Sequence, residues 1–94
     1  MNVISKPTLK AFWAVHPDSE EPLTAWYRHV RRAEYATFAD VRADFGSVDW
    51  VEGYLVFNIG GNKYGLIVTA RFQSKTFWIK HVLTHREYDD WRPS

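Results

Sequence analysis

The chain has no cysteine among its 94 residues, which excludes both a disulfide framework and a thiolate metal site. No apolar run approaches the roughly 20 residues that span a bilayer, and no stretch has the form of a secretory signal. A cytoplasmic protein without membrane association is therefore expected. Repeats, linkers and low-complexity tracts are also missing, so a single domain over residues 1–94 is expected. The most informative shortage is local. Between Tyr54 and Arg86 there is no acidic residue, yet Lys63, Arg71, Lys75, Lys80 and Arg86 lie there, together with His81 and His85. The whole chain carries a formal charge of only +1, so cationic charge is concentrated in this segment. Such a footprint suits a phosphate-binding surface, although surface cations also simply solvate hairpins.

What is plentiful is apolar and aromatic: 46% hydrophobic and 17% aromatic residues exclude disorder as the general state. Within the basic segment, alternation predicts three antiparallel strands. Leu55, Phe57 and Ile59 share a face in the first, and Gly60-Gly61-Asn62 supplies a tight turn. Tyr64, Leu66, Val68, Ala70 and Phe72 share a face in the second, opposite Lys63, Gly65, Ile67, Thr69 and Arg71. After a turn at Gln73-Ser74-Lys75, strict alternation groups Phe77, Ile79, His81 and Leu83 against Trp78, Lys80, Val82 and Thr84. Thr84-His85-Arg86-Glu87 has the form of a capping box and predicts a short terminal helix.

The first half reads as helical. Val3-Ile4 is a short step compatible with a strand, and Ser5 before Pro7 starts a helix that ends at His16-Pro17. Asp18 is the expected cap of a second helix, whose Leu23, Trp26, Tyr27 and Val30 form one stripe, with Arg28, Arg31 and Arg32 on the solvated flank. That arginine flank suits RNA or an acidic partner, and equally a plain solvated surface. Trp13 and Trp26 lie within apolar helical patterns and are expected in the core. Thr37 caps a third short helix, and residues 47–53 read as a connector. Helices followed by an antiparallel meander predict an α+β fold, with the helices on the greasy face of the sheet. The other face, with Lys63, Arg71, Trp78 and Lys80, is expected to stay open.

F-N-I-G-G-N-K-Y (57–64) and T-H-R-E-Y-D (84–89), with Asn2–Trp13 and Pro22–Val30 before them, make the chain resemble the HigB toxins of type II toxin–antitoxin systems, within the RelE-like superfamily. The resemblance implies the same α+β layout. It also implies mRNA cleavage in the ribosome, inhibition of translation, and a HigA-like helix-turn-helix antitoxin as partner, with DNA reached only through that antitoxin. One departure stands out. The family usually has arginine where this chain has Gly65, which implies an attenuated or inactive toxin.

The residues themselves narrow the chemistry. His81 and His85 have no carboxylate at a matching spacing for a metal site, so neither metal nor cofactor is expected. Gly60-Gly61 lacks the Lys-Ser/Thr helix of a phosphate-binding loop. RNA cleavage by its own 2′-OH needs a proton acceptor, cations for the phosphorane and a donor to the leaving oxygen. An imidazole such as that of His85, with an ordinary pKa of about 6.5, suits either proton role. Lys80 fits charge stabilisation or the base, and Tyr88 fits the orientation of a base or phosphate. Lys63, Arg71, Lys75, Trp78 and Arg86 are candidate RNA contacts. Two other readings remain: a catalytically silent homologue that binds RNA or antitoxin, and a toxin acting on another target such as gyrase.

Overall fold

The computed structural model describes residues 1–93. Its elements run β1 (Asn2–Ile4), α1 (Lys6–Val15), a 3-10 turn (Pro17–Ser19), α2 (Glu20–Arg32), α3 (Phe38–Asp44), β2 (Asp49–Val51), β3 (Tyr54–Ile59), β4 (Tyr64–Arg71), a second 3-10 turn (Phe72–Ser74), β5 (Thr76–Thr84) and α4 (His85–Asp90). The five strands form one sheet in the order β1-β5-β4-β3-β2. All pairs are antiparallel except β1 with β5, so the fold is α+β, as the sequence implies. Among the described residues, no helix is long and apolar enough to cross a membrane.

Local chemistry explains the element ends. Thr37 and Thr84 each accept from the third residue of their helix, and the side chains of Asp40 and Glu87 reach back to the cap nitrogens, satisfying backbone donors that a helix start leaves free. The β3–β4 turn takes positive φ at Gly60 (62°) and Gly61 (71°), a region glycine enters without a Cβ clash.

The helices cover one face of the sheet. Leu9, Leu23, Trp26, Val30 and Val41 pack with Leu55, Phe57, Leu66, Val68, Phe77 and Ile79. Phe57 sits edge-on to Trp26 (5.3 Å) and Phe45 (5.1 Å), geometry that adds to the burial of its area. Trp26 is buried and Trp13 packs at the margin of the same core, as their helical spacing implies.

Three expectations are corrected. Residues 47–53 are not merely a connector: Asp49–Val51 forms the edge strand β2 against β3. Asp18 does not cap α2, because Ser19 precedes that helix and Asp18 turns to Lys63 and Tyr64. The strict alternation of β5 also fails. Ile67 pairs with His81 but Val68 pairs with Ile79, so Lys80 is an extra residue in a bulge. Beyond it the faces exchange. Val82 enters the core, 8% exposed, while His81 leaves it and is exposed.

Candidate active site

The sheet's second face is not the open basic surface that alternation suggests. Val56 and Ile67, paired across β3 and β4, are buried yet stand apart from the main core. The covering groups come from α4 and the residue after it. Trp91 meets Tyr54 edge-on at 5.3 Å, stacks on Tyr88 at 6.1 Å and reaches His81 at 6.3 Å. Burying this smaller patch anchors the terminal helix, and the Thr84 capping box fixes where that helix begins.

At the junction lies a cavity of about 180 Å³ lined by Val56, Asn58, Asn62, Tyr64, Gly65, His85 and Tyr88. Three of the expected catalytic positions, Gly65, His85 and Tyr88, are therefore brought together. His85 is the first residue of α4, and its backbone N–H donates to the Lys63 carbonyl at 3.2 Å, tying the helix start to the hairpin. Gly65 pairs with Asn58 on one side and Leu83 on the other. It is buried beneath Tyr88, whose ring and Cβ lie 3.7–3.9 Å from where a glycine-65 Cβ would stand. These are ordinary van der Waals distances, so packing under Tyr88 does not by itself require glycine at this position.

The remaining candidates are dispersed. Lys80 is exposed in the β5 bulge and does not line the cavity. Arg86 is exposed on α4, and Trp78 is half-buried on β5. Arg71 and Lys75 lie at the opposite end of the β4–β5 hairpin. Lys63 is drawn toward the helical layer by its ion pair with Asp18, which removes it from the second face where alternation put it.

Asp18 also accepts from the Tyr64 hydroxyl at 2.5 Å. The Lys63 ammonium first, and then the Tyr64 hydroxyl, hold the Asp18 carboxyl below the usual carboxylate range. Asp18 in turn raises both Lys63 and Tyr64. This clasp joins the turn after α1 to the hairpin that carries the cavity. A depressed carboxyl contributes stability above its unfolded-state pKa, and that contribution is lost as pH falls through the folded value. Asp18→Asn is therefore expected to lower the melting temperature at neutral pH, with the gap to the parent closing in acid. A pH-independent gap in thermal melts would mean that the carboxylate charge is not what the clasp uses.

Sequence reasoning did not single out Asn58, Asn62 or Tyr64 as cavity residues. The Asn58–Gly65 pairing was implicit in a hairpin turned at Gly60-Gly61. Trp91 carried a signal too, lying three residues beyond Tyr88 on the same helical side. Among the described residues, no three His, Asp or Glu side chains converge as metal ligands would.

The HigB toxin family, described as the RelE-like toxic component of a toxin–antitoxin system, matches residues 19–91. The chain is 28% identical over 92 residues to the mRNA interferase HigB of Escherichia coli O6:H1, covering 95% of this chain and 89% of that protein. It is 28% identical, again over 95% of its length, to the mRNA interferase HigB of Shigella flexneri, of which 88% is covered.

Proposed function

The chain belongs to the HigB family of RelE-like toxins of toxin–antitoxin systems, and from that premise we propose that it is a metal-independent endoribonuclease directed at mRNA. The observation that carries this reading is the convergence of His85, Tyr88 and Gly65 on one small cavity at the start of α4. The relatives' shared name of mRNA interferase gives the substrate class.

The reaction follows from RNA itself. The 2′-oxygen attacks the adjacent phosphorus, the bond from phosphorus to the 5′-oxygen breaks, and a cyclic phosphate and a free 5′-hydroxyl result. DNA, lacking the 2′-OH, is not cut. His85 lines the cavity and is exposed, so its ring can exchange a proton with one of the reacting oxygens. Tyr88 offers a ring and a hydroxyl to a base or phosphate. Lys80, exposed on the bulge beside His81, contributes positive potential from outside the cavity. Cleavage takes place on the ribosome, and a HigA-like helix-turn-helix partner restrains it.

A second reading has its own support. The buried Gly65 under Tyr88 leaves this cavity without a guanidinium, which favours an attenuated or silent homologue that still binds antitoxin and RNA. Induced expression with growth measurement and mapping of mRNA 5′ ends separates the readings. Arrest with new 5′ ends supports the nuclease. Arrest without them points to another target such as gyrase. Neither effect supports the silent form.

A further inference from the structure

One group of cations that lack carboxylate partners lies away from the candidate active site. Among the described residues the ion pairs are Lys63 with Asp18 and His29 with Asp44. Arg28, Arg31, Arg32 and Lys75 belong to neither. Arg31 and Arg32, from the last turn of α2, and Lys75, from the turn before β5, line one cavity of about 670 Å³ that also contains Glu34. Met1, which carries an ammonium, lines it too, so four cationic residues accompany one carboxylate.

Two of these cations are held in place. Arg31 donates to the Tyr27 hydroxyl at 3.0 Å, and its guanidinium lies 5.7 Å from the Tyr27 ring centre. The Lys6 ammonium lies 4.6 Å from the same ring. Lys75 takes a left-handed backbone (φ 53°) and donates through Nζ to the Tyr35 carbonyl at 3.3 Å. The carbonyls at the end of α2 do not offset this charge, because the Met1 nitrogen occupies that of Val30 at 3.0 Å as well as that of Ala33. Arg32 also lines a neighbouring cavity of about 480 Å³ with Arg28, His29 and Asp44, where the Asp44 carboxylate is already engaged by His29.

With Glu34 the one carboxylate lining this cavity, its excess of like charge is costly unless a polyanion offsets it. Planar guanidinium forks match phosphate oxygens in particular. The cavity lies at the far end of the hairpin from Gly65. Arg71 stands six positions beyond Gly65 on β4, or roughly 20 Å at the rise of a strand.

We propose that the cleft between the end of α2 and the start of β5 binds the RNA backbone at phosphates remote from the scissile one. It supplies affinity and register but no chemistry. The inference rests on the RNA-directed reading above, but binding of uncleavable RNA and cleavage of ordinary RNA are separate readouts.

The test uses a fluorescent 2′-O-methyl RNA oligonucleotide titrated with the full chain over a salt series. Arg31→Gln/Arg32→Gln is expected to bind about tenfold more weakly at physiological salt. Its plot of log affinity against log salt should be shallower by about 1.4, since each single-strand phosphate contact contributes about 0.7. Arg32→Gln alone, which removes no contact to Tyr27, is expected to flatten the slope by about 0.7, and it keeps the test valid if the double variant folds poorly. Arg31→Lys/Arg32→Lys should keep the parental slope. An unchanged slope in the folded Arg32→Gln and double variants overturns the proposal. So does binding of poly-glutamate by the parent, lost in the variants, with RNA binding unaffected, which would mark an acidic-protein dock. If no variant of the chain cuts RNA but the slope still flattens, the nuclease reading fails and the cleft stands.

Discussion

Replacing His85 by glutamine is expected to lower RNA cleavage by about 10²–10⁴-fold, the usual contribution of a positioned proton-transfer group, while RNA binding is kept. His85 is exposed at the first position of α4 and lines the cavity with Tyr88 and Gly65. Two features outside its side chain fix its position: the Thr84–Glu87 capping box and the hydrogen bond from its own backbone to Lys63. Glutamine keeps the backbone, the approximate size and the capping box, and removes the group that can take up and return a proton. The loss should therefore appear in the rate of the bound complex and leave affinity for 2′-O-methyl RNA near the parental value. The measurement belongs in the most active available background, because Gly65 is expected to hold the parental rate low. Cleavage at close to the parental rate after the substitution would remove His85 from the mechanism.

Much of this arrangement is legible in the sequence, and the parts that are not have physical causes. The two threonine caps and the glycine turn are local chemistry, settled by residues within four positions of one another, so they read correctly. The face of Val82 does not, because a bulge inserts one residue without any glycine or proline to announce it; Lys80 looks like an ordinary strand residue. The same slip explains why His81 was grouped with core residues and is instead exposed beside Trp91. Asp18 was a plausible cap by position, but its carboxylate found a cation and a hydroxyl more than 40 residues away, and no local pattern carries that information. The basic face was misjudged for a related reason. Charge along a segment does not say which cations the fold neutralises. Lys63 is paired, whereas Arg28, Arg31 and Arg32, outside the ion pairs of the described residues, lie together in the second half of α2, where the helical pattern marks them only as a solvated flank. Of the candidate site, the sequence located the junction and named His85, Tyr88 and Gly65. The cover provided by Trp91 and the asparagines opposite Gly65 needed the sheet register.

Gly65→Arg is expected to raise cleavage by about 10²–10³-fold, the effect of one transition-state donor aimed at developing phosphorane charge, and to turn a tolerated protein into one that arrests growth. The resemblance to HigB toxins implies an arginine at this position, and the structure shows what the first atom of such a side chain would meet. Its Cβ would stand 3.7 Å from the Tyr88 ring, an ordinary contact, so the strand can accept a side chain without moving its backbone. Gly65 itself lines the cavity with Asn58, Tyr64 and His85, and a planar fork brought into it can hold two phosphate oxygens at once. Gly65→Ala separates the steric effect from the chemical one. Alanine fills the same first contact and removes the entropic weakness of a strand glycine, so it should fold at least as well as the parent and gain no activity. Expression of the three chains side by side, with growth and mRNA 5′ ends as readouts, distinguishes the outcomes. If the arginine chain is folded and no more toxic than the glycine chain, the cavity works without a guanidinium and Gly65 is a packing residue under Tyr88. If alanine activates as much as arginine, tighter seating of Tyr88 is what the glycine lacks, and phosphate recognition must come from elsewhere.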